Sequence, residues 1–232
     1  MPDIKSFFEE GQVLLFNKPL YWTSFDLVGR VRNLIIKASG IKKIKVGHAG
    51  TLDPLADGLM IICTGRATRK IGEFRDLDKE YIATIKLGMT TPSFDLETET
   101  DGEFETDHIT GEMVDKVLEV FVGEQQQVPP LHSAKLVDGK RAYELARKGI
   151  KKELEPVPVI FREIELVSFN IPEIRVRLLC SKGTYIRSFA RDLGIALKSG
   201  ACLTALQRIS IGNKSIKEAM TIEKFEDYLK QM

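Results

Sequence analysis

The sequence has few of the features that mark secreted or membrane proteins. Its 232 residues include only three cysteines, Cys63, Cys180 and Cys202, which are far apart and odd in number, so a disulfide framework is not expected. No apolar run approaches the roughly 20 residues that a membrane-spanning helix needs. Residues 1–10 carry acids where a signal peptide has a basic end and an apolar stretch. These absences predict a cytoplasmic protein.

Metal and nucleotide signatures are also missing. The histidines, His48, His108 and His132, show no ligand spacing with one another or with the cysteines, which argues against a zinc site. No glycine-rich phosphate loop ending in Lys-Ser or Lys-Thr occurs, which argues against an NTPase. We therefore expect no metal and no other cofactor.

Net charge is nearly absent, at +1, but the charges are unevenly distributed. Residues 95–107 hold seven acidic residues and no basic one, whereas residues 30–48 and 135–152 are strongly basic. Either basic run by itself is typical of a solvated surface. Two such runs favour a phosphate-binding surface and hence a nucleic-acid partner.

Hydrophobic periodicity predicts helices mixed irregularly with strands. The expected helices cover residues 25–37, 67–74, 110–121, 143–148, 184–198 and 222–229. The expected extended segments cover residues 13–17, 44–46, 59–63, 81–87, 157–169 and 174–180. This order favours an α+β fold, with one mixed sheet and flanking helices, over a doubly wound fold. No linker or repeat divides the chain, so a single domain is expected over residues 1–232.

The most informative stretch is residues 47–59, Gly-His-Ala-Gly-Thr-Leu-Asp-Pro-Leu-Ala-Asp-Gly-Leu. It places the carboxylate of Asp53 on a loop of small residues, where glycines permit positive φ angles and the close approach of a ligand. By itself, Asp53 followed by Pro54 is typical of a helix cap or an Asx turn. The whole stretch points to a catalytic loop because further motifs accompany it.

Those motifs follow one another along most of the chain. They occupy residues 14–19 with 22–24, 79–88, 127–147, 180–188 and 203–208. Together with residues 47–59 they resemble the signatures of the tRNA pseudouridine synthase B (TruB) family, over about residues 11–225. The resemblance implies the pseudouridine synthase fold, with a largely antiparallel central sheet. It also implies isomerisation of uridine to pseudouridine at position 55 in the T loop of tRNA, by base flipping.

The resemblance assigns roles to individual residues. It makes Asp53, Tyr81 and Arg187 catalytic. Burial alone would raise the pKa of Asp53, so an ionised carboxylate needs a nearby cation, and the resemblance supplies Arg187. The substrate-binding residues that it implies are His48, Tyr81, Tyr185, Leu206 and Lys18. It further implies an RNA-clamping loop over about residues 128–152, with the basic side chains Lys135, Lys140, Arg141, Arg147, Lys151 and Lys152.

Some alternatives stay open at this point. Asp53 would attack C1′, attack C6 or act as a base. An RNA-guided pseudouridine synthase subunit and an RNA-folding factor on the same scaffold are the alternative functions. About 20 residues follow Gly212, too few for the C-terminal PUA domain of many family members, so we expect contacts with the T arm only. The expected protein is a monomer that binds tRNA, with no obligatory protein partner and no membrane.

Overall fold

The computed structural model describes residues 3–133, 135–137, 139–142, 144, 150 and 154–232. Within these ranges the α-helices are α1 (Ile4–Glu10), α2 (Ser24–Ser39), α3 (Ile71–Asp76), α4 (Gly111–Phe121), α5 (Ile186–Ala196) and α6 (Ile222–Gln231). The strands are β1 (Val13–Lys18), β2 (Val46–His48), β3 (Ala56–Thr64), β4 (Lys79–Leu87), β5 (Met89–Thr90), β6 (Gly102–Glu103), β7 (Gly123–Gln127), β8 (Leu136–Val137), β9 (Lys140–Arg141), β10 (Val157–Asn170), β11 (Glu173–Cys180), β12 (Ala201–Ile211) and β13 (Lys214–Ser215). Two 3₁₀ helices cover Gly65–Lys70 and Ile216–Glu218.

The chain forms two compact units. The first contains Met1–Glu80 and Gln207–Met232, and the second contains Tyr81–Leu206. Each unit combines helices with mostly antiparallel strands, which confirms the α+β class. The single catalytic domain over residues 1–232 stays a prediction. None of the helices in the described part of the chain is long and apolar enough to cross a bilayer.

In the first unit, β3 is the buried strand that positions the loop of Asp53. β1 pairs antiparallel with it, from Val13 opposite Cys63 to Lys18 opposite Gly58. β2 pairs antiparallel with its far end, with His48 opposite Ile62. Since β2 and β3 run in opposite directions, the segment between them is a return loop, and Asp53 lies within it.

Helix α2 shows how local sequence sets an element of the first unit. Thr23 is its N-cap: its hydroxyl oxygen accepts the Asp26 N–H at 3.0 Å, and the Asp26 carboxylate accepts the Thr23 N–H at 2.8 Å. This reciprocal capping box satisfies donors that a helix start leaves unpaired. Gly40 ends the helix in the left-handed conformation, with φ of 68°. The predicted helix over residues 25–37 is therefore confirmed, with slightly wider bounds.

In the second unit the strand order is β4-β11-β10-β7. β10 and β11 form an antiparallel hairpin, and β7 pairs with the start of β10. Helix α5 packs through Phe189, whose ring lies 5.3 Å from the rings of both Phe121 and Phe161. Burial is not confined to the face of Phe189, since the five consecutive residues Ile186–Ala190 at the start of α5 are all buried, Arg187 among them.

Several elements differ from the sequence prediction. Helix α1 and strands β7 and β12 were not expected, and the helix predicted over residues 67–74 is a 3₁₀ helix followed by α3. Strand β7 reads Gly-Glu-Gln-Gln-Gln, which has low intrinsic strand propensity, and it is extended because β10 pairs with it. The predicted helix at residues 143–148 lies outside the described residues except at Glu144.

Candidate active site

The loop of Asp53 is held by its own backbone and by helix α2. Asp53 begins a tight turn in which the Ala56 N–H donates to the Asp53 carbonyl at 3.1 Å, so the residue does not cap a helix. The hydroxyl of Ser24 accepts the Leu52 N–H at 2.9 Å and donates to the Leu52 carbonyl at 3.0 Å. Both backbone polar groups of Leu52, the residue before Asp53, are therefore hydrogen-bonded to Ser24. These bonds hold in place the backbone that carries the half-buried side chain of Asp53.

Arg208 is a second support of the same loop. Its side chain is buried, with 1% of the residue exposed, and its Nε donates to the Leu59 carbonyl at 2.8 Å. The two terminal nitrogens donate to the carbonyls of Gly50 and Thr51 at 3.1 and 3.4 Å. One guanidinium thus joins β3 to the loop that precedes Asp53. Arg208 lies within the sequence motif of residues 203–208, but that motif alone does not predict this role.

Lys18 is completely buried at the end of β1. Its ammonium donates to the carbonyls of Pro19 and Trp22 at 2.9 and 2.6 Å. Burial lowers the pKa of Lys18 to about 8, although the nearby carboxylates of Asp57 and Asp53 act in the opposite direction. This arrangement favours a role in charge balance and loop position, and the expected substrate contact of Lys18 stays a prediction.

His48 ends β2 and lies half-buried in the first unit. Burial and then the positive charge of Arg208 lower its pKa, while a backbone contact with Gly50 opposes this shift. The imidazole is therefore neutral at neutral pH. A neutral flat ring has the surface needed to stack on a base, which is the role that the family resemblance implies.

In the second unit, Arg187 lies in the first turn of α5 and is held by several acceptors. Its Nε lies 3.5 Å from Oδ2 of Asp95, and the two side chains are only 5% and 6% exposed. Its terminal nitrogens donate to the carbonyls of His132 at 3.0 Å and of Ser93 at 3.4 Å. A buried guanidinium with these partners is orientated before any substrate arrives.

Asp95 is the site residue that the sequence analysis missed. It appeared there only as the first acid of residues 95–107, yet it is buried. Its Oδ1 accepts the Glu97 N–H at 3.0 Å, and its backbone carbonyl accepts the hydroxyls of Thr91 and Ser93. No local pattern distinguishes Asp95 from the exposed acids that follow it.

The predicted pocket residues Tyr81, Tyr185 and Leu206 all belong to the second unit. Tyr185 precedes α5, and its N–H donates to Oε1 of Gln127 at 2.8 Å, while Nε2 of Gln127 donates back to the Tyr185 carbonyl at 3.1 Å. Tyr81 is buried in β4, as the alternation predicted, and Leu206 is half-buried in β12.

The structure thus groups His48, Asp53 and Lys18 in the first unit, and the other catalytic and pocket residues in the second. The pairing of Asp53 with Arg187 stays a prediction. No group of three His, Cys, Asp or Glu side chains in the described ranges is arranged to hold a metal ion.

Only part of the expected RNA-clamping loop is described. Lys135 donates from its ammonium to the Glu155 carbonyl at 3.1 Å. Lys140 and Arg141 form β9, which pairs antiparallel with β8. Arg147, Lys151 and Lys152 lie outside the described residues.

Comparison with known proteins identifies the family. The model of the TruB family pseudouridylate synthase (N terminal domain) matches residues 37–186. The tRNA pseudouridine synthase B of Phocaeicola vulgatus is 56% identical over 224 residues, which are 97% of this chain and 95% of that protein. The protein of the same name from Flavobacterium johnsoniae is 49% identical over 221 residues, or 95% of this chain and 96% of that protein.

Solved structures agree at the level of the fold. A crystal structure of a Cbf5-Nop10-Gar1 complex matches 97% of this chain with a TM-score of 0.71 and 25% identity. The archaeal box H/ACA sRNP Nop10-Cbf5 complex matches with a TM-score of 0.68 and 22% identity. The chain spans 56% of the length of each of these structural relatives. With the sequence match at 56% identity over nearly the whole chain, these findings show that the chain belongs to the TruB family of pseudouridylate synthases.

Proposed function

We propose that this protein isomerises uridine to pseudouridine at position 55 in the T loop of tRNA, with Asp53 as the catalytic carboxylate. The proposal is supported by family membership and by relatives named tRNA pseudouridine synthase B. The observation that carries the residue assignment is the support of the Asp53 loop by Ser24 and Arg208. Because hydrogen bonds fix this half-buried loop, the carboxylate keeps its position while the enzyme retains the detached uracil.

The reaction breaks the bond between N1 of uracil and C1′ of ribose, and forms a bond between C5 and C1′. N1 gains a proton and C5 loses one, so the product is an isomer and no redox partner is needed. An ionised Asp53 serves this reaction as a nucleophile or as a base. In the proposal, Arg187 is the cation that keeps the carboxylate ionised, and the buried Asp95 is a positioning residue for Arg187.

The substrate-facing parts of the proposal follow the family resemblance. The ring of Tyr81 stacks on the flipped uracil, Tyr185 and Leu206 line its pocket, and His48 fills the space that the base leaves. The loop over about residues 128–152 closes on the T arm, where basic side chains meet phosphates. The protein acts in the cytoplasm as a monomer, without a protein partner or a cofactor.

The test is the variant Asp53→Asn, assayed on a tRNA transcript whose uridines carry tritium at C5. Asparagine keeps the shape of aspartate but is neither an anionic nucleophile nor a strong base. Tritium release should therefore fall below detection, while filter binding of the tRNA stays near the wild-type value. Asp57→Asn, a change of the same kind four residues further along, is the matched control and should retain turnover. Robust release by Asp53→Asn would overturn the catalytic assignment.

A second candidate is the alternative that the family resemblance left open, an RNA-guided pseudouridine synthase subunit. The same assay decides between the two, because a stand-alone tRNA enzyme releases tritium without a guide RNA. Release that appears only after a guide RNA is added would favour the RNA-guided function. Relatives with 56% identity that are named as tRNA enzymes support the stand-alone activity.

A further inference from the structure

Two exposed aromatic rings stand beside the loop of Asp53, and the proposed chemistry does not use them. Tyr21 is 74% exposed and Phe25 is 76% exposed, on either side of the residue that caps α2. Leu20 next to them is 44% exposed. Scattered apolar side chains are normal on protein surfaces, but these are two large aromatic rings, four positions apart in sequence and both about three-quarters exposed, which is typical of a contact surface. We call Tyr21 and Phe25 the aromatic platform.

The backbone that carries Tyr21 is fixed in an uncommon conformation. Tyr21 has φ of 67°, in the left-handed region that non-glycine residues rarely adopt. Its N–H donates to the carbonyl of Pro54 at 2.7 Å, one residue after Asp53. The ammonium of Lys18 binds the carbonyls on either side, those of Pro19 and Trp22. Strain at a non-glycine residue persists only where the surroundings enforce it, and here it presents the ring to solvent beside the candidate catalytic loop.

Within the aromatic platform, Phe25 contacts His48. The two rings meet edge-on, with centroids 5.7 Å apart and an interplanar angle of 86°. Since Phe25 remains largely exposed, this contact leaves ring surface free for another flat group. The platform is therefore continuous with the residue that the family resemblance places within the RNA.

The surrounding charge suits a polyanion. Lys42, Lys43 and Lys45 precede β2, which ends at His48, and all three are exposed. In the described part of the chain none of them forms an ion pair with a carboxylate. Surfaces that bind single-stranded nucleic acid combine stacking rings with cations, with bases on the rings and phosphates on the cations.

We propose that the aromatic platform binds unpaired bases of the substrate RNA by stacking, next to the nucleotide that enters the active site. The inference rests on the proposed function for the identity of the RNA. Two observations favour RNA over a protein partner or a second copy of this chain. The backbone N–H of Tyr21 is hydrogen-bonded to the Pro54 carbonyl in the loop of Asp53, so an occupant of the platform lies beside the reacting nucleotide. The exposed lysines that precede β2 are complementary to phosphate.

The test measures RNA binding and base stacking directly. The probe is an isolated T-arm stem-loop that carries the fluorescent base 2-aminopurine in place of one loop base beside the target uridine. All binding is measured with Asp53→Asn as the parent protein, so turnover does not interfere. We expect quenching of 2-aminopurine when the parent binds, and weaker quenching with Phe25→Leu or Tyr21→Leu. Loss of a stacked base should raise Kd by about 5- to 150-fold, and Phe25→Trp should restore binding.

Phe104→Leu is the matched control, since it makes the same change at a ring that is 47% exposed within the acidic residues 95–107. Its Kd should stay within about twofold of the parent, because that segment repels phosphate. Unchanged Kd and quenching in both platform variants would overturn the inference. The inference would also be overturned if the platform variants changed the sedimentation coefficient of the protein, which reports self-association, without changing the Kd for RNA. Failure of the proposed function is separate, because it appears as absent tritium release by the wild type.

Discussion

The buried ion pair between Arg187 and Asp95 leads to a quantitative prediction about stability. At the 3.5 Å separation of Nε and Oδ2, two unit charges attract each other by about 5 kcal/mol when the effective dielectric constant is about 20. Desolvation of both groups opposes this attraction, so the net value of the pair is smaller. Asp95→Asn removes one charge of the pair while the guanidinium stays buried and bonded to the carbonyls of Ser93 and His132. Since breaking a buried pair costs about 3–5 kcal/mol when the remaining charge is left uncompensated, the free energy of unfolding should fall by up to this amount.

A double-mutant cycle isolates the interaction. Asp95→Asn, Arg187→Met and the double variant are unfolded in urea, with circular dichroism as the signal. We expect the double variant to be more stable than the sum of the single losses predicts, with a coupling energy of about 1–3 kcal/mol. Glu163→Gln is the matched control because it neutralises a carboxylate that is 56% exposed and paired with Arg177 at 2.7 Å. An exposed ion pair contributes about 0–1 kcal/mol to the free energy of unfolding, so Glu163→Gln should lose no more than this.

The comparison of these variants decides whether the Arg187–Asp95 pair is buried and coupled in solution. If Asp95→Asn loses no more stability than Glu163→Gln, the pair is effectively solvated. A coupling energy near zero would show that the two side chains act independently. Either result would also remove the argument that Asp95 positions Arg187 for catalysis.

Two further predictions concern the first unit. Gly58→Ala should lower the free energy of unfolding by more than about 1 kcal/mol, because φ is 111° and an added Cβ would lie 2.4 Å from the Arg208 carbonyl oxygen. Gly29→Ala in α2, where a Cβ meets nothing within 4 Å, should stabilise slightly in the same urea titration, and equal effects would refute the argument. The difference in the free energy of unfolding between the wild type and Lys18→Met should depend on pH, since the pKa of Lys18 is about 8 in the folded state and about 10.5 when unperturbed. Below pH 8 both states carry the proton, and between pH 8 and 10.5 only the unfolded state does, so the wild type should gain stability relative to Lys18→Met as pH rises through this window. A constant difference between the two proteins across the window would contradict this.

Elements with strong local signals were predictable. Helix α2 has a capping residue, an apolar face and a terminal glycine in sequence, and α4 has Thr110 as its N-cap, as its pattern predicted. The alternation in residues 81–87 correctly predicted β4. In each case the residues that determine the element lie within a few positions of it, so a local pattern is sufficient.

Elements that depend on distant partners were not predictable. Residues 201–211 contain alanine, leucine, glutamine and arginine, which favour helices, yet they form β12. The backbone of Arg208 in that strand lies so close to Gly58 that no side chain fits between them. Pairing across about 150 positions therefore overrides local preference.

The sequence by itself determined the family and hence the chemistry, because the motifs around Asp53, Tyr81 and Arg187 consist of residue types in order along the chain. Only the tertiary structure decided which charges are buried and what they hold. Asp95 pairs with Arg187 across 92 positions of sequence, and Arg208 binds the loop of Asp53 across more than 150. A buried charge is stable only where partners satisfy it, and those partners come from segments that folding brings together. A local sequence pattern does not predict these contacts, because the partners are far apart in the sequence.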